Sequence, residues 1–328
     1  KSQITSSYLV EDKEYLLEFN GGEDEGVEIN NLQPYKSLDF KLYIDREKYK
    51  NINRIFVPIN NTFDGAGNII YSLGFIKFSE KLGSLYFLTK NFDSTTISSK
   101  TIITEPFYMF NDEVMSILIR RNEIHSNFEI AADEDIIPTK YDICVHQNEF
   151  YIDPINKKFT FYLSESLNKS FYNLGGYVTF GNRGTIDLIS EFGNIPIDFA
   201  NMILDSEGSG SGSLMSENSD FLDLISDENL SNYEIEKFCG CLDKFTFQRN
   251  SLSDENFYLK CKNFNYYYQG NPSSSYEDIL FRFNIGIPID ISYSSSTESG
   301  YTVNNANPRY KNIYSKIYNV LGTNYYSY

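Results

Sequence analysis

Tryptophan is absent from the 328 residues, and histidine occurs only twice, at His125 and His146. With two imidazoles, any Ser-His or Cys-His mechanism must pass through one of those positions. The missing Trp weakens a sugar-stacking reading, and nothing marks a working pair of carboxylates for glycoside hydrolysis among the 45 acidic residues. Basic residues are also short, 28 against those 45, for a net charge of −17. Such a surface repels phosphate backbones and anionic lipid, which argues against nucleic-acid and membrane-surface partners. No apolar run approaches the roughly 18 residues of a membrane-spanning helix, so no transmembrane segment is expected. No signal peptide is visible and the chain begins at Lys1, which reads as a mature form or an excised segment.

Cysteine is sparse as well. Cys144, Cys239, Cys241 and Cys261 are too few for a disulfide scaffold in a chain this long. Cys239 and Cys241 stand one residue apart, a spacing that closes on itself only with strain. Bridges to Cys144 or Cys261 and four free thiols are both open at this level. Zinc sites favour two-residue spacers, and Cys144-x-His146 and Cys239-x-Cys241 have only one. On a strand, Cys144 and His146 share one side with β-carbons about 7 Å apart. No nucleophile turn accompanies them, so a buried Cys beside a surface His is the default and a catalytic pair the alternative. "NNTFDGAGN" (60–68) has an approximate calcium-loop rhythm at Asn60, Thr62 and Asp64 but lacks the terminal Glu, and a hairpin turn explains it. "GNRGTID" (181–187) lacks the order of a phosphate loop. Neither a cofactor nor a metal is expected. Sequons at Asn60, Asn168 and Asn229 are what so Asn- and Ser-rich a chain supplies by chance.

What the chain has is aromatic and β-branched residues, with 27 Tyr and 26 Phe. Together with abundant Asn, Ile, Ser and Lys they point to an AT-rich genome: a low-GC bacterium, a parasite or a large DNA virus. "SLDFKLYID" (37–45), "FDGAGNIIYSLGFIKF" (63–78), "SLYFLTKNF" (84–92), "KTIITEPFYMF" (100–110), "VMSILIRR" (114–121), "YDICVH" (141–146) and "FYIDPINKKFTFYL" (150–163) read as strands and hairpins. Turn clusters recur every 8 to 15 residues, the rhythm of sandwiches and barrels.

Helical signals are few. In "NPRYKNIYSKIYNVLG" (307–322), Tyr310, Ile313, Tyr314, Ile317, Tyr318 and Leu321 fall on one helical face, with Asn307 as cap and Gly322 as stop. This predicts a C-terminal amphipathic helix whose Tyr310, Tyr314 and Tyr318 form a candidate interaction face, a core stripe being the alternative. "LSNYEIEKF" (230–238) predicts another, with Ser231 and Glu234 at capping-box spacing, and "SDFLDLIS" (219–226) a third, short one, a docking peptide of acidic-hydrophobic type being the alternative. Residues 206–219 carry "GSGSGS", read as a linker of engineered character, with a natural interdomain linker as the alternative. Six such residues span roughly 13 Å, so the flanking ends lie close in space.

One phrase occurs twice. "GNIPID" at 193–198 returns as "IGIPID" at 285–290, and the echo extends outward. "KFTF" at 158 and at 244 is followed by "FY" at the same interval, then by "GN" (181–182 and 270–271) and the "IPID" segment. Landmarks kept in order predict a duplicated β-rich unit. Pro196 and Pro288 cannot donate a ladder hydrogen bond, and Asp198 and Asp290 suit the following turn, with metal ligation as the less natural role. The expected architecture is therefore mainly β: β-sandwich-like units with an internal duplication, a few short helices and the C-terminal amphipathic helix. The sequence divides into an N-terminal β-rich segment (1–135), a first repeat copy (136–205), the linker (206–219) and a second copy with its helix (220–328). Repeated β units without catalytic signals point to a non-enzymatic surface or virion protein, acting in recognition, adhesion or assembly. Its partner would be a protein or glycan on another surface, or a second copy of itself, in an extracellular, cell-surface or virion setting. A carrier of a lipid or small apolar ligand and a hydrolase with an unmarked site are the alternatives.

Overall fold

A computed structural model describes residues 14–23, 25–91, 98–121, 139–147, 156–163, 176–183, 197–199, 201–203, 233–262, 279–282, 301–304, 312–318 and 321–325. Strict alternation organises them. In β3 (Ser37–Ile44), Leu38, Phe40, Leu42 and Ile44 enter the core while Asp39 and Lys41 face the other way. The same period sends Ile117 and Ile119 of β9 (Met115–Arg121), Tyr141, Ile143 and Val145 of β10 (Thr139–Gln147), and Phe159 and Phe161 of β11 (Asn156–Leu163) into that core.

These strands belong to a nine-stranded antiparallel sheet completed by β1 (Glu14–Asn20), β14 (Asn201–Ile203), β16 (Cys239–Gln248), β17 (Ile279–Arg282) and β20 (Leu321–Tyr325). Its order is β14-β11-β10-β9-β3-β16-β1-β20, with β17 also on β16. The facing eleven-stranded sheet contains β2 (Gly26–Asn30), β4 (Ile55–Phe63), β5 (Ile69–Lys77), β6 (Leu82–Asn91), β7 (Ser98–Ile103), β8 (Phe107–Tyr108), β12 (Tyr177–Gly181), β13 (Ile197–Phe199), β15 (Glu234–Ile235), β18 (Tyr301–Asn304) and β19 (Tyr314–Tyr318). Its order is β13-β7-β6-β5-β4-β12-β2-β19-β18, with β15 on β4 and β8 on β6. Only β13–β7 and β15–β4 among the described pairs run parallel. The chain is a β-sandwich. Strands from every segment of the sequence contribute: β16 lies between β3 and β1, and β12 lies between β4 and β2.

Aromatic rings fill the space between the sheets. Phe87 stands 5.3 Å from Tyr71 and 5.5 Å from Phe161, and Tyr141 stacks on Phe161 at 5.4 Å. Each such ring, fully buried, stabilises by roughly 1.5–3 kcal/mol. Tyrosine hydroxyls inside this core are paired: Tyr35 and Tyr71 share a 2.8 Å hydrogen bond, and Tyr71 donates to Asn60 Oδ1 at 2.7 Å. At one lateral edge a single residue separates β13 in one sheet from β14 in the other. At the opposite edge, two residues separate β19 from β20. Changing sheets at the edge ties the two layers together where a sandwich is most open.

The C-terminal amphipathic helix expected at 307–322 is not formed in the described residues of that stretch, where β19 and the start of β20 stand instead. A spacing of four places residues on one face of either a helix or a strand. On the strand, Ile313 and Ile317 enter the core, and Tyr318, one residue on, is only half-buried. The helix expected at 230–238 is also replaced. Tyr233 and Phe238 are buried at separate places, and Glu234–Ile235 adds as β15 alongside Ile55–Phe56. Asn182 holds this passage like a strand neighbour, donating to Phe238 O at 3.0 Å and accepting from Phe238 N at 2.6 Å. Residues 206–226, with the linker and the third expected helix, lie outside the described residues. The described α-helix, α1 (Asp254–Lys262), was not anticipated. Ser253 caps it, its Oγ accepting from Asn256 N at 3.2 Å, and Asp254 and Glu255 occupy the first turn.

Candidate functional site

Residues facing outward on the nine-stranded sheet include Asp39 and Lys41 on β3, Ser116, Leu118 and Arg120 on β9, Asp142, Cys144 and His146 on β10, and Lys158, Thr160 and Tyr162 on β11. Across them lies α1, which buries Leu118, Cys144, Leu252, Phe257 and Cys261 in a small apolar cluster. That cluster is modest, and charge pins both ends of the helix. Arg120 donates through Nε and Nη2 to Asp142 Oδ2 at 3.0 and 2.9 Å, and through Nη1 to Leu252 O at 2.6 Å. Its Nη2 also meets Asp254 Oδ1 at 2.6 Å. Lys158 bonds Asp254 Oδ2 at 2.9 Å, and Thr160 donates to Asp142 Oδ1 at 2.9 Å. At the far end Lys260 pairs with Asp39 and donates to Thr246 Oγ1 at 3.1 Å, while Gln248 Nε2 holds the other Asp39 oxygen at 3.1 Å.

The repeated tetrapeptide has a place in this arrangement. In β11 and β16 alike, the two Phe of "KFTF" enter the core, whereas Lys158, Thr160 and Thr246 serve the helix. Lys244 is carried outward by a β-bulge between Asp243 and Thr246, its φ +51° and its N–H bonded to Asp243 Oδ1 at 2.7 Å. Between α1 and the β3–β16 pair a shallow open depression is lined by Asp39, Lys41, Ser116, Lys244, Lys260 and Cys261 among others.

Electrostatics separate the structural groups from the available ones. Burial pushes the Cys144 and Cys241 thiols up to about 12 and that of Cys261 to about 11, and raises Cys239. All four cysteines are free and none is held as a thiolate at neutral pH. His146, expected at the surface, is buried: the edge of Tyr258 on α1 covers it, ring centroids 5.6 Å apart. Asp254 sits where burial pushes its carboxyl up, but the Lys158 hydrogen bond and the Arg120 charge outweigh that and hold it below its ordinary value.

Of the residues marked in the sequence, Tyr318 is half-buried on β19 with the Arg183 guanidinium 3.4 Å above its ring. Tyr314 shares its face by register, and Asp198 lies in β13 opposite Ile102. Tyr310, Pro196, Pro288, Asp290 and His125 lie outside the described residues. Asn60 and Thr62 are fully buried, so Asn60 is no glycan acceptor in the folded chain. The Asp64 carboxylate is consumed by its own turn, accepting from Ala66 N at 2.9 Å and Asn68 N at 2.8 Å. Sequence reasoning missed Arg120, Asp142, Asp254 and Lys260. Their traces were the Ser253-Asp254-Glu255 cap and polar residues alternating with apolar ones in β9 and β10. Among the described residues no helix is long and apolar enough to cross a membrane, and no group of three or more His, Cys, Asp or Glu is placed to hold a metal ion.

No family model matches the chain, and the comparison with curated proteins found no match. Among solved structures it is similar to a native heptameric SAP-like pentraxin from Limulus polyphemus, at 8% identity and a TM-score of 0.38, covering 76% of this chain and 83% of that one.

Proposed function

We propose that the protein is a non-enzymatic recognition or assembly module that engages its partner through the helix-braced face of the nine-stranded sheet. The partner is a protein or glycan on another surface, or a second copy of the chain, met at a cell surface, on a virion or in the extracellular space. The observation that carries this reading is the contrast within that face. Cys144, Cys261 and His146 are withdrawn under α1, the two thiols protonated and the imidazole covered, whereas Tyr162 and Tyr258 stand 42% and 39% exposed on a scaffold held by ion pairs. Tyrosine offers a large amphipathic contact at small entropic cost, and a braced platform has little ordering left to lose on binding. The aromatic packing between the sheets opposes the carrier reading, since those rings occupy the space an apolar ligand would need.

Light scattering over a hundredfold concentration range, with capture on immobilised glycans and cell-surface proteins, tests this reading. Self-association or capture that is lost in Tyr162→Ser/Tyr258→Ser supports the face. Unchanged association in that variant refutes it, as does a turnover abolished by Cys144→Ala or His146→Ala.

A further inference from the structure

We infer that the strand ends around Phe107–Tyr108 receive a guanidinium group, the arginine side chain of a partner protein. The site uses β8 of the eleven-stranded sheet rather than the helix-braced face, so it goes beyond the reading above. Its ground is a pair of buried acceptors left unpaired. Glu105, between β7 and β8, is 5% exposed, and its Oε2 has no hydrogen-bond partner. Gln147, the last residue of β10, is 1% exposed, and its Oε1 has none either. A buried oxygen without a donor costs free energy, so two of them beside one segment point to donors supplied from outside.

Glu105 precedes that segment by two residues, and Gln147 is bonded to it. The Gln147 amide turns its Nε2 to Tyr108 O at 3.3 Å and to Asn111 Oδ1 at 3.5 Å, which fixes Oε1 as the free end. Asn111 Nδ2 in turn reaches Glu113 Oε2 at 3.4 Å, bringing in a second, half-buried carboxylate. Tyr108 is 58% exposed and offers a ring face to a planar cation. The opposing charge is Lys157, whose Nζ lies 5.9 Å from the centre of the Phe107 ring. Among the described residues no ion pair joins it to Glu105, although each feels the other's charge. Burial pushes the Glu105 carboxyl up and the Lys157 ammonium down. The chain's own nearby guanidinium, Arg46, is committed to Glu80 at 2.8 Å and Asp112 at 3.8 Å. Both unmet atoms are acceptors, and a guanidinium, with five donors in one plane, serves two acceptors while stacking on a ring. The net charge of −17 draws such a partner in.

Calorimetry of the full chain with N-acetyl-arginine amide at fixed ionic strength tests the inference, with the neutral isostere N-acetyl-citrulline amide and N-acetyl-lysine amide as comparisons. Wild type should show a single site for the arginine probe and roughly tenfold weaker binding of the other two. Glu105→Gln keeps the shape, removes the charge and should weaken the arginine probe roughly tenfold, the loss of one charge-assisted hydrogen bond. Tyr108→Ser, at an exposed ring, should weaken it about threefold. Lys157→Gln removes the opposing charge and should tighten it, a change of sign that a purely structural role would not give. Tyr162→Ser/Tyr258→Ser should leave it unchanged, so that failure here and failure of the helix-braced face are separate results. Absence of a single-site isotherm with the arginine probe, equal affinity for the citrulline or lysine probe, or unchanged affinity in Glu105→Gln overturns the inference.

Discussion

Arg120→Met removes the cation at the centre of the helix brace, and its cost follows from what stays behind. The Asp142 side chain is fully buried and that of Arg120 only 6% exposed. Breaking a buried pair from one side costs about 3–5 kcal/mol, because the remaining charge is stranded. Here Asp142 keeps the Thr160 hydroxyl at 2.9 Å and faces the Lys158 ammonium at 3.7 Å, which pulls the cost toward the lower end. The freed Leu252 carbonyl, bonded by Arg120 at 2.6 Å, adds about 1 kcal/mol. A loss of about 4 kcal/mol results, a fall in urea midpoint on the order of 1 M at a slope of roughly 3 kcal/mol/M. Arg120→Met/Asp142→Asn removes both charges, and Asn retains an acceptor for Thr160. The double variant should recover about half of the loss or more. Amide exchange should show α1 opening first in the single variant. A single-variant cost below about 1 kcal/mol, or a double variant as unstable as the sum of the singles, refutes the reasoning.

Asn182→Ala leaves the Phe238 N–H and C=O unpaired in the interior, at about 1–3 kcal/mol each, and chemical denaturation should register a loss near 3 kcal/mol in total. Native protein treated with iodoacetamide at pH 8 should label none of the four cysteines quickly, whereas unfolded chain should label all four; rapid native labelling of Cys144 or Cys261 contradicts their burial under α1. Asp254 has a folded-state pKa below its unfolded value, so the unfolded chain takes up the proton first as pH falls. The stabilisation it supplies is intact above about pH 4 and is lost as pH falls through the folded value. Amide exchange in α1 should therefore rise below pH 4 in wild type, with a flatter profile in Asp254→Asn.

Most of the sandwich was legible because its strands carry their own instructions. "SLDFKLYID" alternates, "FDGAGN" supplies a turn whose Asp64 ties down two amides, and "YDICVH" places Tyr141, Ile143 and Val145 at every second position. Such signals are local, so a single strand suffices to read them. Strand pairing was not legible: β16 inserts between β1 and β3 although some two hundred residues separate it from either, and no local pattern encodes that choice. The brace was hidden for the same reason. Arg120, Asp142 and Asp254 look like solvated charges until β9, β10 and α1 bring them together.

The misread C-terminus shows where local pattern is ambiguous in principle. Ile313, Tyr314, Ile317 and Tyr318 satisfy both periods, because four residues are just over one helical turn and two full strand repeats. On a helix the four share a single face; on a strand they separate into two. The fold selects the second, since Ile313 and Ile317 complete the core and Ser315 is buried beside them. A helix would bring the tyrosines in with the isoleucines. The strand sends Tyr318 outward to meet Arg183, which is itself paired with Glu28 at 3.3 Å. Burial of the isoleucines, rather than any preference of the tyrosine, thus fixes which side of the eleven-stranded sheet Tyr318 occupies. That leaves the two faces of the sandwich unlike in kind: one presents an arginine-stacked tyrosine strand, the other a lysine-lined depression beside a charged helix.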